Sequence, residues 1–152
     1  MDPYARIDTE SDEIRLIEIL PGNFDDYIEL HLRVASLQRD LDYDALSYVW
    51  KPLYGMSGKE VAPVIVKGQQ DHRISIGENL DAALRHLRHP KEARIMWIDA
   101  LSINQANVRE RNHQVALMGK IYSCAQSVII WLGTSQEDSD FVIDSMASGE
   151  LK

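Results

Sequence analysis

Two segments near the N-terminus alternate apolar and polar residues, with apolar side chains on one face and charged ones on the other. They are EIRLIEIL (13–20) and IELHLRVAS (28–36), and a Pro-Gly-Asn turn at 21–23 lies between them. Two runs of period two around a turn predict an antiparallel pair of strands. VAPVIVKG (61–68) and RISIG (73–77) predict a second hairpin, in which Pro63 favours an edge position for the first half.

From residue 79 onward, helix patterns alternate with strand patterns along the chain. The predicted elements are a helix at 79–90 capped by Asn79, an apolar strand at 93–99, a long helix from Asn107 to about Ala125, a strand at 127–133 and a weaker helix at 137–148. A less regular strand pattern at 43–50 precedes them. Because this alternation is typical of βαβ units, we predict an α/β fold with a mainly parallel sheet flanked by helices, preceded by the N-terminal antiparallel hairpin.

Composition limits the class of protein. The chain has 152 residues, 45% of them hydrophobic and 26% charged, which is typical of one globular domain. No apolar run reaches the roughly 18–20 residues of a membrane span, and the acidic start at 1–12 is expected to be a disordered lead, not a secretory signal. The single cysteine, Cys124, excludes an internal disulfide and fits a reducing compartment. We therefore expect a soluble intracellular protein.

The charge balance argues against nucleic acid as a partner. Acidic residues outnumber basic ones by 24 to 16, for a net charge of -8. Proteins that bind nucleic acid or anionic membranes obtain much of their affinity from a basic surface. A small anionic ligand is still compatible with this composition, because a helix N-terminus and a few arginines can bind one.

The sequence WIDALSINQ suggests where a ligand would bind. It ends a buried strand with Asp99, and parallel sheets bind ligands beyond the carboxyl ends of their strands. If the strands at 44–49, 95–99 and 127–132 are parallel neighbours, a polar rim with an aromatic wall forms there. Its expected residues are Tyr48, Trp50, Asp99, Asn104 and Gln105. The alternative is that Asp99 caps a turn and that the two amides satisfy loop carbonyls.

Other polar residues near this rim have simpler interpretations beside the functional ones. Arg109 and Arg111, in the first turn of the long helix, could hold a phosphate or could be solvated or ion-paired. His86 and His89 have helical spacing, but the sequence supplies no further metal ligands, so we predict no metal site. Ser102 has no nucleophile-elbow context, which favours a turn hydroxyl.

Three longer segments carry a family resemblance. YDALSYVW (43–50), MWIDALSINQANVRERNHQV (96–115) and MGKIYSCAQSVIIWLG (118–133) strongly resemble the fungal heterokaryon incompatibility (HET) domain. IRLIEILPG (14–22) is similar to the lead-in common in that family. The resemblance implies a single HET domain at 13–152, made of the hairpin at 13–36 and an α/β core at 43–148. Two positions depart from the family pattern: Lys51 replaces a usual Gly, and Ser102 replaces a usual Cys.

The resemblance also implies a function. HET-domain proteins act in fungal non-self recognition and trigger programmed cell death after incompatible hyphae fuse. For this chain it implies a cytoplasmic module that works through self-association and with other incompatibility proteins.

The HET family is also distantly similar to TIR domains, which have a flavodoxin-like parallel sheet and of which some cleave NAD. By that comparison Asp99 or Glu137 would be the catalytic carboxylate. Tyr48 or Trp50 would be the aromatic platform, and Asn104, Gln105 and Arg111 would be further ligand-binding residues. No cofactor is implied with certainty, and NAD would be a substrate. Glu110 is a nearer carboxylate, but its place in a capping box with Asn107 explains it. An inactive or C-terminally truncated copy is the third alternative.

Overall fold

A computed structural model describes residues 3–48, 60–132 and 141–144 of the chain. Its strands are β1 (Glu13–Ile19), β2 (Glu29–Ser36), β3 (Asp44–Tyr48), β4 (Glu60–Val66), β5 (His72–Gly77), β6 (Arg94–Ile98), β7 (Ser127–Trp131) and β8 (Phe141–Asp144). Its helices are α1 (Glu78–Leu87), the four-residue α2 (Asp99–Ser102) and α3 (Val108–Cys124). The strands form one sheet in the order β5-β4-β2-β1-β6-β3-β7-β8.

The sheet is mixed, so the α/β class is confirmed but the predicted mainly parallel sheet is wrong. Among the described strands, β3 runs parallel to β6 and to β7, and β2 runs parallel to β4. The other four neighbouring pairs are antiparallel. β1 is antiparallel to both β2 and β6, and the outermost strands β5 and β8 are antiparallel to β4 and β7. The flavodoxin-like arrangement implied by the TIR comparison is therefore not confirmed.

Both predicted hairpins are present. β1 and β2 pair in an antiparallel register from Glu13 opposite Ser36 to Ile19 opposite Leu30. β4 and β5 pair over their whole length, whereas β4 meets β2 only at Ile65 and Val66. Pro63 thus lies in the part of β4 that pairs only with β5, which suits a residue without an N–H group.

Arg85 of α1 and Arg88, the C-cap that follows this helix, fix the connection between β1 and β2. Arg85 Nη1 donates to the carbonyl of Phe24 at 2.7 Å, and Arg88 Nη1 donates to that of Tyr27 at 2.7 Å. Gly22 permits this packing, since a Cβ there would lie 3.1 Å from Arg88 Nη1. With its carbonyls bonded to these two arginines, the loop leaves the rings of Phe24 and Tyr27 exposed.

Two apolar layers lie on opposite faces of the sheet. α1 covers one face with Leu80, Ala83, Leu84 and Leu87, and these residues share a core with Ile17, Leu30, Leu46, Met96 and Ile129. α3 covers the other face, where Ile121 shares a core with Ala45, Trp97 and Val128. β6 is buried on both faces, which confirms the reading of its near-continuous apolar sequence.

The ends of the helices agree only in part with the sequence prediction. Asn107 caps α3 as predicted, since its Oδ1 accepts a hydrogen bond from Glu110 N at 3.1 Å. Gly77, not Asn79, is the N-cap of α1. The prediction of a helix at 137–148 is wrong for residues 141–144, because these residues form β8. None of the helices in the described segments combines the length and the apolar character that crossing a membrane requires.

Candidate functional site

The carboxyl ends of β3, β6 and β7 meet at one edge of the sheet, as the rim hypothesis requires. In the two parallel ladders Leu46 lies opposite Ile98, and Tyr48 lies opposite Trp131. Tyr48 is the last residue of β3, and Asp99 follows directly after β6. Because all three strands run the same way, residues at their ends share this edge.

Asp99 is the first residue of α2 and lies close to two tyrosines. Its Oδ1 accepts a hydrogen bond from Ala100 N at 2.7 Å. Burial raises the pKa of Tyr48, and the Asp99 carboxylate raises it further. The same two causes raise the pKa of Tyr122 to about 12. The rim therefore places one partly exposed carboxylate within electrostatic reach of two phenols that keep their protons at neutral pH.

Three other predicted ligand-binding residues fasten the loop between α2 and α3. Gln105 Nε2 donates to the carbonyl of Asp99 at 3.0 Å, and Arg111 Nη1 donates to the carbonyl of Gln105 at 3.3 Å. Asn104 Oδ1 accepts from Ala106 N at 3.3 Å. These contacts agree with the alternative in which the amides satisfy loop groups. A ligand role for Asn104, Gln105 and Arg111 stays a prediction.

Two predicted site residues, Trp50 and Glu137, lie outside the described residues, as does Lys51.

Ser102, at the position where the resemblance has a cysteine, fulfils a structural role. The residue is fully buried, and its Oγ accepts a hydrogen bond from Ile98 N at 3.0 Å. This bond ties the end of α2 to the end of β6. A hydroxyl oxygen is a better acceptor than a thiol, so serine suits this position. The hydroxyl therefore has a structural hydrogen bond, although Ser102 belongs to α2 and not to the predicted turn.

A buried ion pair behind the rim was missed by the sequence analysis. Arg15 was expected among the solvent-facing charges of β1, yet it is 1% exposed. Its Nη1 and Nη2 donate to Glu110 Oε2 at 2.7 Å and Oε1 at 3.1 Å. The capping box therefore explains the backbone contact of Glu110 but not the contacts of its carboxylate. Its backbone N–H is capped by Asn107, while its carboxylate binds Arg15 and the backbone N–H of Asn104, the latter at 2.6 Å.

Residues 3–12, expected to be a disordered lead, lie against β1 and α3 in the structure. The ring of Tyr4 lies 4.8 Å from the guanidinium carbon of Arg15, and Ile7 is buried. Arg109 Nη2 donates to Glu10 at 3.0 Å on the surface, so this arginine is ion-paired in the structure. His113 Nε2 lies 2.8 Å from the Ser11 carbonyl oxygen, which makes that nitrogen the protonated one.

On the α1 face, the end of β7 carries an aromatic contact that the sequence did not reveal. Trp131 Nε1 donates to Asn79 Oδ1 at 2.8 Å. The Trp131 ring centroid lies 5.1 Å from that of His86, and His86 lies 5.2 Å from Phe24 in an edge-on arrangement. The part of the chain that the structure describes holds no group of three or more potential metal ligands. His86 is therefore in contact with two aromatic rings on this face of the sheet.

Comparisons with known proteins give one family. Residues 43–151 match the family model described as heterokaryon incompatibility protein (HET). The chain is 34% identical to heterokaryon incompatibility protein 6, OR allele, of Neurospora crassa over 143 residues, which cover 90% of the chain. The chain spans only 21% of that relative's length. No solved structure matches the chain.

Proposed function

The chain belongs to the heterokaryon incompatibility (HET) family, and from this membership we propose that it is a fungal non-self recognition module that triggers programmed cell death through self-association. One observation supports this above the others. The family match at 43–151 contains all three strands whose carboxyl ends form the rim. Because the chain spans about a fifth of its relative, the death response, the cytoplasmic location and the other incompatibility proteins it would work with all belong to the proposal.

The outer face of α3 supports self-association. Val108 and Val115 are seven residues apart, so they lie on the same side of the helix, and they are 57% and 56% exposed. The buried positions of α3 are Glu110, Gln114 and Ile121, so both valines lie outside the buried side of the helix. Two exposed valines on one side of a helix, with Arg111 and Asn112 between them, are accessible for contact with a second copy.

A paired experiment tests the proposal. Sedimentation velocity of the purified chain over a range of concentrations measures self-association, and induced expression in fungal hyphae with a vital dye measures death. The double variant Val108→Lys with Val115→Lys should lose both. Val34→Lys, which changes an exposed valine on β2, should retain both. Death without concentration-dependent association would contradict the assembly part, and hyphae that stay alive under wild-type expression would contradict the whole proposal.

A second candidate function, hydrolysis of NAD at the nicotinamide glycosidic bond, is favoured by the proximity of Asp99 and Tyr48 at the rim. In this reaction the bond between the ribose carbon and the nicotinamide nitrogen breaks, nicotinamide leaves, and water adds to the ribose carbon. A carboxylate beside the ribose would stabilise the positive charge that develops as the bond breaks. Asp99 could supply that carboxylate, and the ring of Tyr48 could bind a planar group.

Nicotinamide release from NAD by concentrated protein tests this second candidate. Asp99→Ala and Glu137→Ala are compared with Asp40→Ala, which changes an exposed aspartate. Release that is lost with one carboxylate and kept in Asp40→Ala would identify an enzyme and its catalytic residue. No release from wild-type protein in its associated state would reject the enzyme and leave the assembly module.

A further inference from the structure

Arg15 and Glu110 hold the segment between α2 and α3 from both sides. Glu110 Oε2 accepts from the backbone N–H of Asn104 at 2.6 Å, and Arg15 Nη1 donates to the carbonyl of Ser102 at 2.9 Å. The residue between them, Ile103, is 2% exposed. One ion pair therefore satisfies a backbone donor and a backbone acceptor on the two sides of a buried apolar anchor.

This anchored segment is the one that positions Asp99. Ile103 N donates to the Asp99 carbonyl at 3.3 Å, and Gln105 Nε2 donates to the same oxygen at 3.0 Å. Ser102 Oγ meanwhile bonds Ile98 N, directly before Asp99. Ser102 is bonded to Arg15 itself. Ile103 and Gln105 are the two neighbours of Asn104, which is bonded to Glu110. Movement of Glu110 would thus be transmitted to the Asp99 backbone by two short paths.

The pair also connects the rim to the N-terminal segment. Arg15 Nη2 donates to the carbonyl of Ala5 as well as to Glu110, and the ring of Tyr4 lies over the guanidinium. Residues that are far apart in the sequence (Tyr4, Ala5, Ser102 and Glu110) therefore meet at the Arg15 side chain. A charge that is only 1% exposed and bonded on all these sides is fixed in position far more firmly than a surface ion pair.

We propose that Arg15 and Glu110 are positioning residues of the rim, which set the place of Asp99 through the 102–105 segment. The inference rests on the proposed function, because it assigns these residues to the surface that carries the activity. Neither residue reaches the rim itself, and their effect passes through the backbone of the loop. Stability alone does not require this arrangement, since a buried ion pair can often be replaced by apolar residues of similar volume without loss of stability.

Amide hydrogen exchange of the full chain tests the positioning directly. The variants are Glu110→Gln, which keeps the shape and removes the charge, and the double apolar variant Arg15→Met with Glu110→Leu. Exchange at Asn104, Ile103 and Ala100 should be at least about tenfold faster in both variants, as expected when the bonds that hold a loop are lost. Exchange at Ala45 and Ile129, in the sheet, should stay unchanged in the double variant. Arg109→Gln with Glu10→Gln removes an exposed ion pair beside the same helix and should leave all these amides unchanged.

The hyphal death assay on the same proteins separates this inference from the proposed function. The double apolar variant should be folded and inactive, whereas the surface-pair control should kill. Full activity of the double variant, or unchanged exchange at Asn104, would overturn the positioning role. A rise in exchange that is uniform over loop and sheet in the double variant would also overturn it, because the pair would then only stabilise the fold. Failure of the wild-type chain to kill would reject the incompatibility proposal, while the exchange data would still decide whether the pair positions the loop.

Discussion

Trp131 Nε1 donates a hydrogen bond to Asn79 Oδ1 across 2.8 Å, which joins the end of β7 to the first turn of α1. Both side chains are buried, at 1% and 6% exposure. The bond connects the rim strand to the helix that covers one face of the sheet. It also explains why Asn79 is not the cap of α1, since its amide points into the core.

Replacing Asn79 by alanine should destabilise the protein by about 1–3 kcal/mol, because the indole N–H of Trp131 would be left buried without its acceptor. Urea unfolding followed by circular dichroism measures the change. Asn112→Ala, at an exposed position of α3, is the control and should have little effect. Equal stability of the two variants would show that the bond contributes nothing.

Replacing Glu110 by alanine should destabilise the protein by about 3–5 kcal/mol, because the charge of Arg15 would stay buried without a counterion. The double variant Arg15→Met with Glu110→Leu should recover most of that loss, since it removes both charges. Thermal and urea unfolding of the two variants provide the comparison. A double variant no more stable than Glu110→Ala would contradict this explanation.

Replacing Asn107 by alanine should cost about 1 kcal/mol, because the Glu110 N–H at the start of α3 loses its side-chain acceptor. Asn107→Asp keeps an oxygen in the same place and should retain wild-type stability. The midpoints of urea unfolding distinguish the two variants. A loss of similar size in both would mean that the cap is not the cause.

The phenols beside Asp99 should make the protein sensitive to alkaline pH. Because Tyr122 has a pKa of about 12 in the folded state, the fold retains a proton that the unfolded chain loses above about pH 10. The stabilisation is therefore complete below about pH 10 and is lost as the pH rises towards 12. Urea unfolding at a series of pH values should show this decline, and Tyr122→Phe should reduce it.

Asp99→Asn should lower the pKa of Tyr122 and Tyr48, since both phenols would lose a neighbouring negative charge. Burial is the larger cause, so both pKa values should stay above that of free tyrosine. Absorbance at alkaline pH, with Tyr122→Phe as the reference for assignment, follows the ionisation. Asp40→Asn, at an exposed position, should leave the titration unchanged. An Asp99→Asn titration identical to the wild type would place the carboxylate farther from the phenols than the structure does.

The features that sequence predicted well depend on short-range periodicity. Alternation identified both hairpins, and a capping residue followed by a charged turn identified the start of α3 at Asn107. The parallel neighbours β3, β6 and β7 followed from the alternation of strands and helices. The place of β1 between β2 and β6 could not be predicted in this way, because strand order is decided by contacts between distant parts of the chain.

Arg15 shows why the interior of the site was missed. A charged residue in an alternating strand is normally solvated, and nothing near Arg15 in the sequence indicates a counterion. Its partner, Glu110, lies 95 residues further along the chain and has a sufficient local explanation as a capping residue. Asn79 was assigned to a cap for the same reason, although its acceptor oxygen serves Trp131. Polar residues with a plausible local role therefore concealed the long-range contacts.

Death of hyphal compartments after induced expression of the full chain, compared between the wild type, Asp99→Ala and Asp40→Ala, tests most directly whether the rim is the working surface of an incompatibility module. Circular dichroism of the purified variants confirms that each is folded. The account predicts that the wild type and Asp40→Ala kill and that folded Asp99→Ala does not. Killing by Asp99→Ala at the wild-type level would contradict it and would make Asp99 a turn residue of the fold.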